Sequence, residues 1–140
     1  GIGWGAIGTA MAVYEASLKY AKERIQFDKP IASFQLVQDK LVWMLNEITK
    51  GQLIALQVGK NKDNKTLKFP QVSLIKRNNV WVARECCKLA RDIHGANGVS
   101  GEYPIMRHLM NIESVYTYEG THDMHTLILG NDITDIPSFE

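Results

Sequence analysis

"PQVSLIKRNNVWVARECCKLARDIHGANG", residues 70–98, is the stretch that decides the fold class of this chain. Apolar side chains recur in it at helical spacing, among them Val72, Val82 and Ile93. Pro70 is favourable in the first turn of a helix, where the missing N–H has no partner to lose. The glycines and Asn of residues 94–98 are typical of left-handed backbone at a helix end. The pattern therefore predicts one long helix that starts near Pro70 and breaks at residues 94–98.

Two more long helices are predicted before this one. Apolar residues spaced by three or four trace one face of the first helix, from Ile7 to an end near residues 24–25. The second helix is expected over residues 34–60, followed by a polar turn at residues 60–66 that has no apolar content.

Two shorter helices complete the prediction, one opened by Pro104 and a last one that begins around Thr121. No run of alternating apolar and polar residues bounded by turns predicts a strand. The expected fold is all-α: an antiparallel, four-helix-type bundle whose three long helices have roughly 24–28 residues each. Such helices with Trp4, Trp43 and Trp81 indicate either core packing or surfaces buried against other domains or subunits.

Composition excludes several classes of function. The chain has 140 residues, 45% hydrophobic and 22% charged, with a formal net charge of +1, which gives no signature of a nucleic-acid or membrane partner. No transmembrane span or signal peptide is predicted. The adjacent Cys86 and Cys87 are poor disulfide partners for each other and favour a reduced compartment, a bacterial cytoplasm or mitochondrial matrix rather than secretion. The start, without Met, suggests an excised or truncated piece that forms one domain over residues 1–140.

The segment "VYTYEGTHDMHTL", residues 115–127, contains the first candidate catalytic group, Glu119. Near Tyr118 in an apolar setting, its carboxylate would lose solvation, and a raised pKa would suit it to proton abstraction. Gly120 would let a substrate approach, although a helix N-terminus or a solvated turn explains the segment as well. Glu119 and His122 also match a metal-binding Glu-x-x-His pattern, but no second copy exists and no metal site is predicted.

Two loops carry further candidate groups. The segment over residues 23–35 combines a guanidinium, two amides and an aromatic ring, which suit a phosphate and a flat heterocycle. These groups belong to Arg24, Gln26, Phe27 and Gln35. The glycine-rich segment over residues 92–98 exposes backbone amides that a dinucleotide can use. Spacing alone leaves purely structural roles open for both loops. Arg24 can pair with a helix C-terminus, and the segment over residues 92–98 can be an ordinary helix C-cap.

Taken in order along the chain, these segments resemble the C-terminal helical domain of the acyl-CoA dehydrogenase family. The resemblance rests on "KERIQFDKPIASFQ", "ARDIHGANGVSGEYPI" and "VYTYEGTHDMHTLILG" and covers nearly the whole chain. In "SLIKRNN" and "ARDIHGANGVSGEYPIMRHLMNIE" the chain is most similar to the glutaryl-CoA dehydrogenase branch. The resemblance implies an FAD-dependent oxidoreductase that acts on a CH–CH bond of an acyl-CoA thioester.

The resemblance also assigns roles to individual residues. Glu119 matches the base that removes the α-proton while the β-hydrogen passes as hydride to the flavin, with the thioester oxygen held by hydrogen bonds. The resemblance also implies that Tyr118 and Gly120 line the acyl thioester site and that Phe139 lies near the CoA moiety. Residues that match the FAD site of a neighbouring subunit are Arg24, Gln26, Phe27, Gln35, Asp92, Ile93, His94, Gly95 and Ala96. Positions near the flavin of the same subunit are Thr121 and Asp123.

The chain departs from the family pattern at three positions. Ala96 adds a methyl group where glycine usually lets the backbone approach the cofactor, and Asp28 replaces a glycine in the preceding loop. Asn131 stands where many members have Arg, which puts CoA contacts there in doubt. The family's N-terminal helical and middle β-domains supply much of the site and are absent from this chain.

From the resemblance we expect a homotetramer of the complete enzyme, with electron-transferring flavoprotein as electron acceptor. The isolated chain is expected to bind FAD weakly or not at all and to be inactive. A short-chain acyl-CoA dehydrogenase or an oxidase of the same family is an alternative. A non-catalytic helical oligomerisation module is an alternative from a different class.

Overall fold

The structure, a computed structural model, describes residues 1–138 and contains five α-helices in that part of the chain. Phe139, predicted to lie near the CoA moiety, falls outside the described residues. The helices are α1 (Ile2–Glu23), α2 (Gln35–Asp63), α3 (Phe69–His94), α4 (Ile105–Thr117) and α5 (His122–Thr134). The predicted all-α bundle, with three long and two short helices, is confirmed.

Helix α3 is the central element, because it packs against each of the other four helices. One face of α3 is buried at steps of three or four residues, by Ser73, Lys76, Val80, Ala83 and Cys87. Facing side chains from α1, α2 and α4 complete the core, including Ile7, Val13, Met44, Ile48, Ile105 and Ile112. The long helix predicted from residues 70–98 is thus the axis around which the bundle is built.

One polar residue lies at the centre of this core. Asn79 on α3 is fully buried, and its Nδ2 donates to the carbonyl oxygens of Gly3 on α1 at 3.1 Å and Gly51 on α2 at 3.2 Å. Gly51 permits this approach, because a Cβ there would collide with the side chain of Ile7. A single amide therefore ties the three long helices together.

The loop between α1 and α2 corrects the expectation that no strand forms. β1 (Ile25–Gln26) pairs antiparallel with β2 (Lys29–Pro30), and Phe27 and Asp28 form the two-residue turn between them. Both turn residues have left-handed backbone, with φ of 52° and 60°, as a type I′ hairpin turn requires. Asp28 therefore adopts the conformation for which glycine is better suited. The strands are too short to give the period-2 pattern on which a strand prediction depends.

Two helix ends also differ from the sequence-based expectation. α2 continues to Asp63, three residues into the predicted polar turn, because polar residues are compatible with an exposed last helical turn. Among residues 94–98 only Gly95 has positive φ, 57°, whereas Gly98 packs against the backbone of Arg91 with no room for a Cβ. The two glycines therefore serve different purposes, one a left-handed turn and the other a close approach.

The tryptophans lie mostly at the surface. Trp4 is 50% and Trp81 40% exposed, and Trp43 packs edge-to-face on Trp81 with ring centroids 6.3 Å apart. Trp43 is half-buried and packs against the core, whereas Trp4 and Trp81 are not core residues of this chain. In the described part of the chain, no helix combines the length and apolar character needed to cross a membrane.

Candidate functional site

A cavity with a volume of about 950 Å³ lies where α1 ends, α2 begins and α3 ends. The two loop segments singled out in the sequence meet in its walls. Predicted cofactor residues that line it are Arg24, Gln26, Phe27, Gln35, Asp92, Ile93, His94, Gly95 and Ala96. Segments that are more than 55 residues apart in the chain are thus brought to one site.

The β1–β2 hairpin presents an aromatic ring to this cavity. Phe27 is 78% exposed although it is held in left-handed backbone, which is unfavourable for a bulky side chain. Phe34 lies beside it, with ring centroids 6.3 Å apart, and the Lys29 ammonium sits 4.5 Å above the Phe34 ring. An exposed ring on a strained turn is a feature that contact with a ligand or another chain would stabilise.

The cavity is predominantly cationic. Arg24, Lys29 and Lys40 line it, opposed by Asp92 as the acidic residue of its walls. Partial burial raises the pKa of Asp92, but hydrogen bonding by Arg91 and the charge of Lys40 outweigh this effect and leave the pKa below its ordinary value. The Lys40 Nζ lies 3.5 Å from Asp92 Oδ2. The Asp92 carboxyl is therefore ionised at neutral pH and orders two cations at the rim.

His94 anchors the floor of the cavity. It is almost fully buried, its ring stacks on Tyr20 at 4.3 Å, and its Nδ1 lies 2.8 Å from the carbonyl oxygen of Ala90. Burial lowers the pKa of His94, so the ring is neutral with its proton on Nδ1. Tyr20 in turn accepts a hydrogen bond from Asn97 at 3.0 Å and thereby fixes the glycine-containing turn.

The second cavity, of about 510 Å³, lies at the opposite end of α1. Its walls are the first turn of α1, the end of α2 and the start of α3, and Glu119 and His125 close one side. Trp4 lines this cavity and Tyr20 the other. These residues of α1 are about 24 Å apart at 1.5 Å rise per residue. Glu119 and the cationic cavity are therefore far apart within one chain.

The surroundings of Glu119 differ from those predicted. Its side chain is exposed, and Tyr118 is 48% exposed, so within residues 1–138 the carboxylate does not have the apolar enclosure that was expected to raise its pKa. The backbone is unusual instead: Glu119 has φ of 52° and Gly120 φ of 89°. The segment thus holds a glutamate outward on left-handed backbone at the mouth of a cavity.

Two side chains hold the backbone of this segment. Lys76 on α3 is 5% exposed, and its Nζ donates to the carbonyl oxygens of Tyr118 at 3.0 Å and Gly120 at 2.6 Å. His125 Nε2 lies 3.2 Å from the carbonyl oxygen of Glu119. Burial lowers the pKa of Lys76, and the charge of Glu119 partly opposes this effect. Burial also lowers the pKa of His125, and the positive charge of Lys76 lowers it further.

The other predicted residues near Glu119 lie outside both cavities. Thr121 is the N-cap of α5, and its Oγ1 accepts a hydrogen bond from the Met124 N–H at 3.2 Å. Asp123 is exposed in the first turn of α5, where its charge favours the helix N-terminus. His122 stacks on Tyr116 at 4.7 Å. Among the described residues, no group of three or more His, Cys, Asp or Glu side chains is placed to hold a metal ion.

Sequence reasoning missed several residues of the two cavities, chiefly Tyr20, Lys40 and Lys76. For Lys76 the sequence did contain a signal. Lys76 and Asn79 lie three residues apart on the otherwise mostly apolar buried face of α3, where charged and polar residues need partners. Tyr20 and Lys40 gave no such signal, since amphipathic residues are ordinary on a partly exposed helix face.

Comparison with known proteins decides the family. A family model described as "Acyl-CoA dehydrogenase, C-terminal domain" matches residues 1–134. The chain belongs to the acyl-CoA dehydrogenase family. Among curated proteins, glutaryl-CoA dehydrogenase of Desulfococcus multivorans is 33% identical over 129 residues, which are 91% of this chain and 33% of that protein.

Solved structures of the family agree with the fold. A glutaryl-CoA dehydrogenase from Mycobacterium smegmatis superposes with a TM-score of 0.97 at 51% identity, covering 99% of this chain and 36% of that one. A second glutaryl-CoA dehydrogenase from the same organism, in complex with FADH2, gives a TM-score of 0.97 at 40% identity, with the same coverage. The chain thus spans about a third of the length of these relatives.

Proposed function

We propose that this chain is the C-terminal helical domain of an FAD-dependent acyl-CoA dehydrogenase of the glutaryl-CoA type. The observation that carries the proposal is the 51% identity to a glutaryl-CoA dehydrogenase over 99% of the chain. The domains that would complete the enzyme correspond to the remaining two thirds of that relative. The non-catalytic alternative has less support, because a helical spacer has no need for an outward glutamate on strained backbone beside a cavity.

In this proposal Glu119 is the catalytic base, and one of its carboxylate oxygens takes the α-proton of the acyl thioester. When bound, the flavin supplies the acceptor for the hydride that leaves the β-carbon. The exposed side chain supports the role, since a base must reach a substrate that comes from outside this chain. The missing apolar enclosure of Glu119 would then be provided by the substrate and the rest of the enzyme. Tyr118 and Gly120 flank the thioester.

The cationic cavity fits part of an FAD molecule. The guanidinium of Arg24 suits a pyrophosphate, and Lys29 and Lys40 add positive charge. Gln26 and Gln35 offer amides, and the exposed ring of Phe27 offers an apolar face for a heterocycle. The methyl group of Ala96 lies in the cavity wall and leaves the cavity open at about 950 Å³.

The separation of the two cavities supports a shared cofactor between copies. Because Glu119 is at one end of α1 and the Arg24 cavity at the other, one flavin would contact Glu119 of one copy and Arg24 of another. Exposed apolar side chains on α2, including Leu36 at 79%, Val42 at 66% and Leu53 at 61%, provide surface for such assembly. We infer a homotetramer in the complete enzyme, with electron-transferring flavoprotein as electron acceptor. Size-exclusion chromatography with light scattering tests the tetramer.

Substitution of Glu119 tests the catalytic proposal. In the full-length, flavin-loaded enzyme that carries this chain, Glu119→Gln keeps the shape of the side chain but has no basic oxygen for the proton. Anaerobic flavin reduction by glutaryl-CoA is expected to slow by on the order of 10²–10⁴-fold. Glu102→Gln, an exposed glutamate in the loop before α4, is the matched control and should reduce its flavin at the wild-type rate. Equal rates in the two variants would exclude Glu119 as the base.

The acyl specificity needs a separate measurement. A glutaryl-CoA dehydrogenase releases CO2 from the free carboxylate of its substrate after oxidation. A short-chain dehydrogenase forms no such product. Comparing turnover of glutaryl-CoA and butyryl-CoA, with CO2 detection, distinguishes the glutaryl proposal from the short-chain alternative. Oxidation by O2 in the absence of electron-transferring flavoprotein would favour the oxidase.

A further inference from the structure

Three consecutive backbone carbonyls around Glu119 are each held by a side chain from elsewhere in the bundle. Lys76 Nζ donates to the carbonyls before and after it, at 3.0 Å to Tyr118 and 2.6 Å to Gly120. The carbonyl of Glu119 itself lies 3.2 Å from His125 Nε2. The peptide groups on both sides of the glutamate are thus fixed to α3 and α5.

These contacts compensate for an unfavourable backbone. A glutamate with φ of 52° occupies a region that side chains with a Cβ disfavour, and Gly120 with φ of 89° follows it. Without external hydrogen bonds, the segment would relax towards an ordinary extended or helical conformation and carry the carboxylate to a different direction. A buried ammonium has three donors and needs acceptors, so the two carbonyls and Lys76 stabilise one another.

We propose that Lys76, together with His125, is a positioning residue that fixes the orientation of the Glu119 carboxylate for α-proton abstraction. The proposal deepens the function proposed above and depends on Glu119 being the base. The hydrogen bonds that the Lys76 ammonium makes within the described chain are to backbone carbonyls, so the proposed role is exerted through Glu119 rather than on the substrate. An ammonium suits the position because its three donors are enough for two carbonyls two residues apart, and a long, unbranched side chain carries it there from α3.

His125 contributes through its tautomer. To donate to the Glu119 carbonyl, the ring must carry a proton on Nε2; Nδ1 is then the bare nitrogen, and it is buried without a partner in the described chain. The same ring restricts Gly120, because a Cβ there would lie 2.9 Å from Nε2. His125 on α5 therefore adds a second anchor to the segment that Lys76 holds from α3.

The test uses the full-length, flavin-loaded enzyme and replaces Lys76 by Met, which keeps the length and removes the donors. Single-turnover flavin reduction by acyl-CoA is expected to slow by about 10²-fold, as for a misplaced catalytic group, while KM changes little. The deuterium isotope effect with α-deuterated substrate should rise, because proton abstraction becomes rate-limiting. Lys88→Met, also on α3 and paired with Glu85, is the matched control and should match wild type.

A rescue experiment separates positioning from general loss of structure. Lys76 lines the 510 Å³ cavity, so in Lys76→Ala a small amine such as propylammonium can occupy the vacated space. Added propylammonium should restore part of the flavin-reduction rate in this variant and leave Glu119→Gln unchanged. A merely structural lysine would show neither the isotope effect nor the rescue.

The outcomes are distinguishable. If Glu119→Gln is slow and Lys76→Met reduces its flavin at the wild-type rate, the positioning proposal is overturned and the base assignment stands. If Glu119→Gln itself is fast, both proposals fail. If neither Lys76 variant folds, His125 decides: His125→Gln keeps an N–H donor and should retain most of the rate, whereas His125→Leu should lose it. Equal rates for these two variants would also overturn the proposal.

Discussion

Replacing Asn79 by Ala should destabilise the bundle far more than the same change at the surface. Asn79 is fully buried and donates at 3.1 Å and 3.2 Å to carbonyls of Gly3 and Gly51. Both carbonyls lie within helices and keep their own helical partners, so the substitution does not leave them unpaired. What is lost is the pair of cross-helix hydrogen bonds and the volume of the amide group. The hydrogen bond that Asn79 Oδ1 accepts from Asn78 Nδ2 at 3.0 Å is lost as well, but Asn78 is only half-buried and its amide can bond water instead.

The magnitude follows from these two losses. Two hydrogen bonds contribute about 2 kcal/mol, at about 1 kcal/mol each. A residual cavity of about 30 Å³ costs roughly a further 0.7 kcal/mol. Ala is the better helix former by about 0.5 kcal/mol, which offsets part of the loss. The free energy of unfolding should therefore fall by about 2 kcal/mol. At an unfolding entropy of about 2.1 cal/mol/K per residue, this corresponds to a Tm lower by about 7 °C for 140 residues.

Thermal and urea unfolding, followed by circular dichroism at 222 nm, measure the effect on the 140-residue chain. Asn46→Ala on the exposed face of α2 is the matched control, because it gains the same helix propensity and loses no buried contact. Relative to that control, Asn79→Ala should be less stable by about 3 kcal/mol. A difference below about 0.5 kcal/mol would refute the view that this amide ties the helices together.

Three further predictions follow from the same structure. Gly51→Ala should lower the unfolding free energy by about 1–3 kcal/mol in a urea titration because its Cβ meets packed side chains, whereas Gly59→Ala, with open space around it, should raise it. Because burial lowers the pKa of His94 from 6.5, the unfolded chain binds more protons below that pH, and the free energy of unfolding should fall on acidification. His94→Leu should make the free energy of unfolding less dependent on pH, and an unchanged slope would contradict the assignment. Burial raises the pKa of the Cys86 and Cys87 thiols to about 12, so a thiol reagent at pH 8 should modify them only on unfolding; immediate reaction of the native chain would contradict this.

The helices could be predicted from the sequence because their determinants are local. Apolar residues spaced by three and four, Pro70 in the first turn and Gly95 at the end each act within one or two turns of the helix. The hairpin at Phe27 and Asp28 could not be found in this way, because left-handed backbone at two non-glycine residues has no sequence signature as clear as Asn-Gly. Its formation depends on the packing of the helices that it joins.

The candidate site was predictable in part. Order along the chain and resemblance to a family singled out Arg24, Gly95 and Glu119, and the structure brings the first two to one cavity. The solvent exposure of Glu119 could not be read from its neighbours, because burial depends on which surfaces meet in three dimensions. The sequence placed an aromatic beside the carboxylate, and the fold turned both towards solvent.

The sequence by itself determined where helices run, which family the chain resembles and which residues carry reactive groups, since those properties depend on spacing and chemical type. Only the tertiary structure decided that Lys76 reaches the carbonyls beside Glu119, 43 residues further along the chain, and that Asn79 joins three helices. The physical reason is that a buried polar group is stable only with partners, and those partners come from helices distant in sequence.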